Sequence, residues 1–114
     1  MRLTPRPNYG ESLLIRRRRQ GRTQAEQAAR LLASTSLYRK LEASPRRLPH
    51  GPAVKTVTGL TPAEVCTLLR RRAGIKAPAL AALAGISRTW VIQIERGHAP
   101  ADKLIAYWRS TGAL

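Results

Sequence analysis

The sequence is short of acid, of aromatics and of thiol. Only 6 of its 114 residues are Asp or Glu, against 21 Lys and Arg, for a formal net charge of +15. It has one cysteine, Cys66, no phenylalanine and an aromatic share of 4%. Each shortage closes a class of function. A single thiol can make neither an intrachain disulfide nor a thiolate metal site, and His50 and His98 have no ligand-spaced neighbours. Six scattered carboxylates, with no nucleophile–base pair and no phosphate loop, give an enzyme nothing to work with. Few aromatics leave few platforms for stacking single-stranded bases. No segment approaches the roughly 18 apolar residues of a membrane span. The N-terminus carries Arg2 and Arg6 without the apolar stretch of a secretory signal. The expected setting is the cytoplasm, at a bacterial nucleoid or in a host cell, with no metal, cofactor or small-molecule substrate.

What is abundant is positive charge. A balance this lopsided repels itself in a compact fold unless a polyanion neutralises it, so nucleic acid is the expected partner. Residues 1–60 hold 13 Lys/Arg and 3 acids, and residues 61–114 hold 8 and 3. The densest run, Arg16-Arg17-Arg18-Arg19, returns as Arg70-Arg71-Arg72. The run suits phosphate contact better than base reading.

That recurrence belongs to a longer one. Shifted by 53 residues, 8–44 lies on 61–97 without a gap, and nine positions are identical, among them Glu11/Glu64, Arg17/Arg70, Gly21/Gly74, Ala28/Ala81, Ser34/Ser87 and Glu42/Glu95. Between the copies, Ser44-Pro45-Arg46-Arg47-Leu48-Pro49-His50-Gly51-Pro52 cannot continue a helix and reads as a linker. Val54–Thr58 alternates and is β-branched, which suits a short extended piece.

The second copy carries the clearer signals. Thr61-Pro62-Ala63-Glu64 is a capping box with proline at the first helical position, followed by Val65, Leu68 and Leu69 on one face. A second helix over about Ala77 to Ala84 is expected to bury Leu80, Ala81, Leu83 and Ala84. Gly85 supplies a tight turn, and Ser87 caps a third helix to about Arg96 that turns Val91 and Ile94 inward. A fourth is expected near Asp102 to Arg109. Small Ala81, four residues before Gly85, lets the second and third helices cross closely and leaves the third free to project. Its outward positions are then Arg88, Thr89, Gln93 and Arg96. Trp90 suits packing or a dimer contact better than a wedge between bases.

Residues 62–97, which include LLRRRAGIKAPALAALAGISRTWVIQIERG, together with a closing helix to 109, resemble the Cro/C1-type (XRE) helix-turn-helix of phage repressors, most specifically at Ala81, Gly85 and the ending Ile94-Glu95-Arg96-Gly97. The resemblance implies an ion pair between Arg70 on the first helix and Glu95 on the third. It also implies base reading by Arg88, Thr89 and Gln93. Their chemistry agrees: arginine can bond guanine bidentately, glutamine suits adenine, and threonine meets either a polar edge or a thymine methyl. The phosphate-contacting position that opens the second helix is Ala77 here, which leaves Lys76 as the candidate for that contact.

In the first copy, Gln24 matches that phosphate position, Arg17 is a further phosphate candidate, and Thr35, Ser36 and Lys40 form the groove-facing set. Its core is weaker on paper, since Gln27, Arg30 and Arg16 replace Leu80, Leu83 and Leu69. It is therefore a divergent helix-turn-helix, a dimerisation pair, or a basic arm that orders on DNA.

The expected protein is all-α: a divergent helix-turn-helix over 1–44, a Pro-rich linker over 45–60 and a Cro/C1-type helix-turn-helix over 61–114. The function expected is sequence-specific regulation of transcription on a bipartite double-stranded operator, with a homodimer compatible. The resemblance alone adds a mobile element or prophage as the setting. Two rivals share the composition: a nucleoid-type binder of low specificity, and an antitoxin or antiactivator that holds a protein.

Overall fold

Most helices begin where a short polar side chain takes the first free amides. The computed structural model describes residues 5–114, so Arg2 lies outside the described residues. Asn8 opens α1 (Tyr9–Arg19), Thr23 opens α2 (Gln24–Arg30) and Ser34 opens α3 (Thr35–Ala43). Thr61 opens α4 (Pro62–Ala73) and Ser87 opens α6 (Arg88–Glu95), while α5 (Ala77–Ala84) and α7 (Asp102–Ser110) lack a side-chain cap. The chain is all-α, with no strand among the described residues. No single described helix is long and apolar enough to cross a membrane.

The six acids are placed with economy. Glu11, Glu26 and Glu64 close capping boxes with Asn8, Thr23 and Thr61, each accepting the cap residue's N–H at 2.9 Å. Asp102 sits in the first turn of α7, where the helix dipole favours it. Glu42 and Glu95 pair with arginines.

The chain divides into two units, Arg6–Thr58 and Gly59–Leu114. In the second, Val65, Cys66 and Leu69 of α4 meet Leu80 and Ala81 of α5, Val91 and Ile94 of α6, and Leu104 and Trp108 of α7. Each fully buried leucine or isoleucine here contributes about 1.5–3 kcal/mol. Gly85, Ile86 and Ser87 join α5 to α6. Gly85 takes φ 72°, the Ile86 N–H donates to the Ala81 carbonyl at 3.0 Å, and the helices are bent by 107°. Leu83, expected on the buried side of α5, is instead 60% exposed. Leu80 and Ala81 are buried and Ala77 and Ala84 pack on the core at helical spacing, which leaves Leu83 off the edge of that stripe.

The first unit has its own core of Leu13, Ala28, Tyr38 and Leu41, with Tyr9, Leu31, Leu48 and Val54 packed on it. Gly10 lets α1 lie against the end of α3: a Cβ there would overlap the Glu42 carbonyl, and its N–H donates to the Ser44 carbonyl at 2.9 Å. The stretch read as a linker is fastened to this unit as far as Thr58. Tyr9 Oη donates to the Pro52 carbonyl at 2.7 Å, Arg19 Nη2 to the Thr58 carbonyl at 3.4 Å, and the Val57 N–H to Ser12 Oγ at 3.2 Å. Prolines forbid a helix, but they do not stop an extended chain from offering its carbonyls and valines. Val57 is buried without forming a strand.

The 53-residue offset is kept in three dimensions. The helices start at 9 and 62, at 24 and 77, and at 35 and 88. Gly21 and Gly74 end α1 and α4 at φ 70° and 69°. The first copy is therefore a three-helix unit rather than a bare arm.

Candidate nucleic-acid interface

Matching clamps hold α3 and α6. Arg70 donates Nε to Glu95 Oε2 at 2.7 Å, Nη2 to Oε1 at 2.9 Å and Nη1 to the Ile75 carbonyl at 3.1 Å. Fifty-three residues earlier, Arg17 donates Nε to Glu42 Oε2 at 2.6 Å, Nη2 to Oε1 at 3.3 Å and Nη1 to the Arg22 carbonyl at 2.9 Å. Each arginine ties the first helix of its unit to the end of the third and to the turn between. Bidentate pairs of this kind fix angle as well as distance. Arg17, expected at a phosphate, is thus the clamp of the first unit. Its side chain is only 11% exposed, and its Nε and both Nη groups are bonded within the unit. Burial pushes the Glu42 carboxyl up, but hydrogen bonds from Arg17 and Gln24, with the charge of Arg17, outweigh it and hold the group below its ordinary value.

With 100° between successive residues, the burial of Val91 and Ile94 sets the opposite side of α6 outward. Thr89, Gln93 and Arg96 lie there, all exposed, with Arg88 and Trp90 exposed on either flank. Trp90 is 40% exposed and outside the core cluster. Lys76 is exposed at the N-cap of α5 and makes no side-chain cap bond.

On α3 the buried residues are Tyr38, Leu41 and Glu42. Ser36 and Lys40 are exposed, and Thr35, at the first position, is half-buried. Gln24, expected at a phosphate, has its amide engaged: Nε2 donates to Glu42 Oε1 at 3.0 Å, and Oε1 accepts from Arg39 Nε at 3.3 Å. Arg39 is the residue that sequence reasoning missed. It is exposed on the same face as Ser36 and Lys40, in the place of half-buried Ile92. The repeat carried a signal for it, because Gln24 and Arg39 differ together from Ala77 and Ile92.

No family model, curated protein or solved structure matches this chain. The site has to be judged by its own geometry. That geometry offers two exposed helix faces rich in guanidinium, ammonium, amide and hydroxyl groups. Exposed Arg16, Arg18 and Arg19 stand at the end of α1, and Arg71 and Arg72 at the end of α4. Cys66 is no nucleophile: burial, with the charge of Glu95, pushes its thiol up to about 12. Among the described residues no three His, Cys, Asp or Glu side chains could hold a metal together.

Proposed function

We propose that the chain is a double-stranded DNA-binding transcriptional regulator of the Cro/C1 type, with α2–α3 and α5–α6 as two helix-turn-helix readers. One observation carries this reading. The α5–α6 pair is bent by 107° about a three-residue turn containing a left-handed glycine, within the roughly 90–120° of a helix-turn-helix. Its second helix presents Thr89, Gln93 and Arg96 away from the core. A net charge of +15 supplies the phosphate attraction. Arg88 and Gln93 supply donors for base edges, with guanine and adenine as the matching bases.

The two readers differ in sequence, so the proposed operator has two unlike halves. Joining the units in one chain raises the effective concentration of the second once the first is bound. Regulation of a mobile element or prophage rests on the resemblance alone.

Site selection by the full chain from a random duplex pool tests the proposal. Two different half-sites should be enriched, about 10 base pairs apart. Arg88→Ala and Gln93→Ala should each cost about 1–3 kcal/mol on the selected site and little on random DNA. Equal losses on both would move these residues to the phosphate class. No enriched sequence would favour a nucleoid-type binder, and no DNA binding alongside an acidic protein partner would favour an antitoxin or antiactivator.

A further inference from the structure

We infer that Arg39 reads a guanine in the half-site taken by the first unit, and that Gln24 positions it for the task. The inference rests on the DNA-binding reading above. Its basis is a line of four side chains that crosses the unit from core to surface. At the inner end, Glu42 is 3% exposed and is held by Arg17. An ionised carboxylate only accepts hydrogen bonds, so the Gln24 amide must turn its Nε2 end inward, and it does so at 3.0 Å. The amide oxygen is thereby turned outward, where it accepts Arg39 Nε at 3.3 Å.

A guanidinium fixed through Nε keeps its two Nη groups as a fork at the far edge. That fork matches the O6 and N7 acceptors of guanine in the major groove. A phosphate contact needs charge more than orientation, and Lys40 beside it already supplies charge. The second unit lacks both members of the device, having Ala77 and Ile92 at the matching positions. There the reading arginine is Arg88, at the first position of α6, whereas Arg39 stands one turn further along α3. Each reader helix thus carries one arginine within its span, and only the first unit braces it from a neighbouring helix.

The test uses the full chain on its selected site, with 7-deazaguanine replacing each guanine of one half in turn to remove N7. In the wild type, one such replacement should weaken binding by about tenfold. Arg39→Ala should abolish that sensitivity, and Arg39→Lys, which loses the planar fork but keeps donors, should reduce it. The lysine variant should keep the wild-type salt dependence, because the charge is retained and only the fork is lost. Gln24→Ala should reduce the sensitivity part-way and add nothing to Arg39→Ala, with melting followed in parallel.

A loss in Arg39→Ala that is equal on selected and random duplex would make Arg39 a phosphate contact and overturn the inference. Undiminished deazaguanine sensitivity in that variant would do the same. If Gln24→Ala lowers only the melting temperature and leaves the sensitivity intact, its positioning role is refuted. Failure of the underlying reading has a separate signature, a wild-type chain that enriches no sequence at all.

Discussion

Replacing Leu32 with glycine should stabilise the first unit. Leu32 follows α2 with φ 56°, in the place where the second unit has Gly85 at φ 72°. It is the only described residue other than glycine with a positive φ, and it closes the helix as Gly85 does. The Leu32 N–H donates to the Ala29 carbonyl and the Ala33 N–H to the Ala28 carbonyl. A left-handed conformation costs an L-residue about 1–2 kcal/mol. The side chain is 96% exposed, so removing it sacrifices almost no burial. Against the gain stands the greater freedom of glycine in the unfolded chain, about 0.5–1 kcal/mol. The net is a gain of about 0.5–1 kcal/mol, or about 2–8 °C in a domain of this size. Because both tryptophans lie in the second unit, the local assay is amide exchange at Ala33, whose protection should rise with the melting temperature. Leu32→Ala keeps the strained backbone and should change little. Unchanged or reduced protection in Leu32→Gly would refute the reasoning and show that the leucine side chain makes a stabilising contact.

The clamps differ in depth, with 1% exposure at the Glu42 side chain and 7% at Glu95, and Glu42 also holds Gln24. Glu42→Ala should therefore cost more than Glu95→Ala, both of the order of 3 kcal/mol in urea unfolding, and equal small losses would mean that neither pair is effectively buried. Glu42 is also held below its ordinary value of 4.5, so the folded chain takes up its proton less readily than the unfolded one. Its contribution is full above that value and is lost as the pH falls through the lower folded value. The unfolding midpoint of the first unit should thus drop on acidification below 4.5, and Glu42→Gln should flatten the drop. An identical acid profile in that variant would assign the effect to other carboxylates. DNA affinity should fall steeply with salt, and a log-log slope shallower than about −3 would mean that most of the arginines do not touch DNA.

Much of the frame was legible because it rests on local chemistry. Asn8, Thr23, Ser34, Thr61 and Ser87 announce helix starts by satisfying amides within three residues of themselves. The offset of 53 was legible too, since the same punctuation recurs. What escaped were features that depend on distant partners. Gln27, Arg30 and Arg16 made the first core look poor, yet Arg30 matches Leu83, which is itself exposed, and fully buried Tyr38 fills the space where the second unit has smaller Val91. The proline-rich stretch looked free because its attachments, Tyr9 to Pro52 and Ser12 to Val57, span more than 40 residues. Arg17 stands in a run of four arginines that suits phosphate contact, yet the repeat aligns Arg17 with Arg70 and Glu42 with Glu95, so the Arg70–Glu95 pair already pointed to its reach to Glu42. Position on a helix points to Arg88, Thr89 and Gln93 but not to Arg39, whose proposed role depends on a contact with Gln24 from another helix.

The small number of acids has a consequence for how this chain behaves as a polyelectrolyte. With only 6 carboxylates against 21 Lys and Arg, the folded chain keeps a formal net charge of +15 whatever its acids bind. The counter-ions of the folded state must come from solution. Screening salt should then firm the fold of the free chain while it loosens the chain's hold on a polyanion, two responses of opposite sign to one variable. Phosphates delivered in a fixed array relieve the same self-repulsion more completely than mobile ions, and a ligand that binds only the native state stabilises it by mass action. On the proposed DNA-binding reading, one polyanion would then be both the ligand of this chain and a stabiliser of its fold.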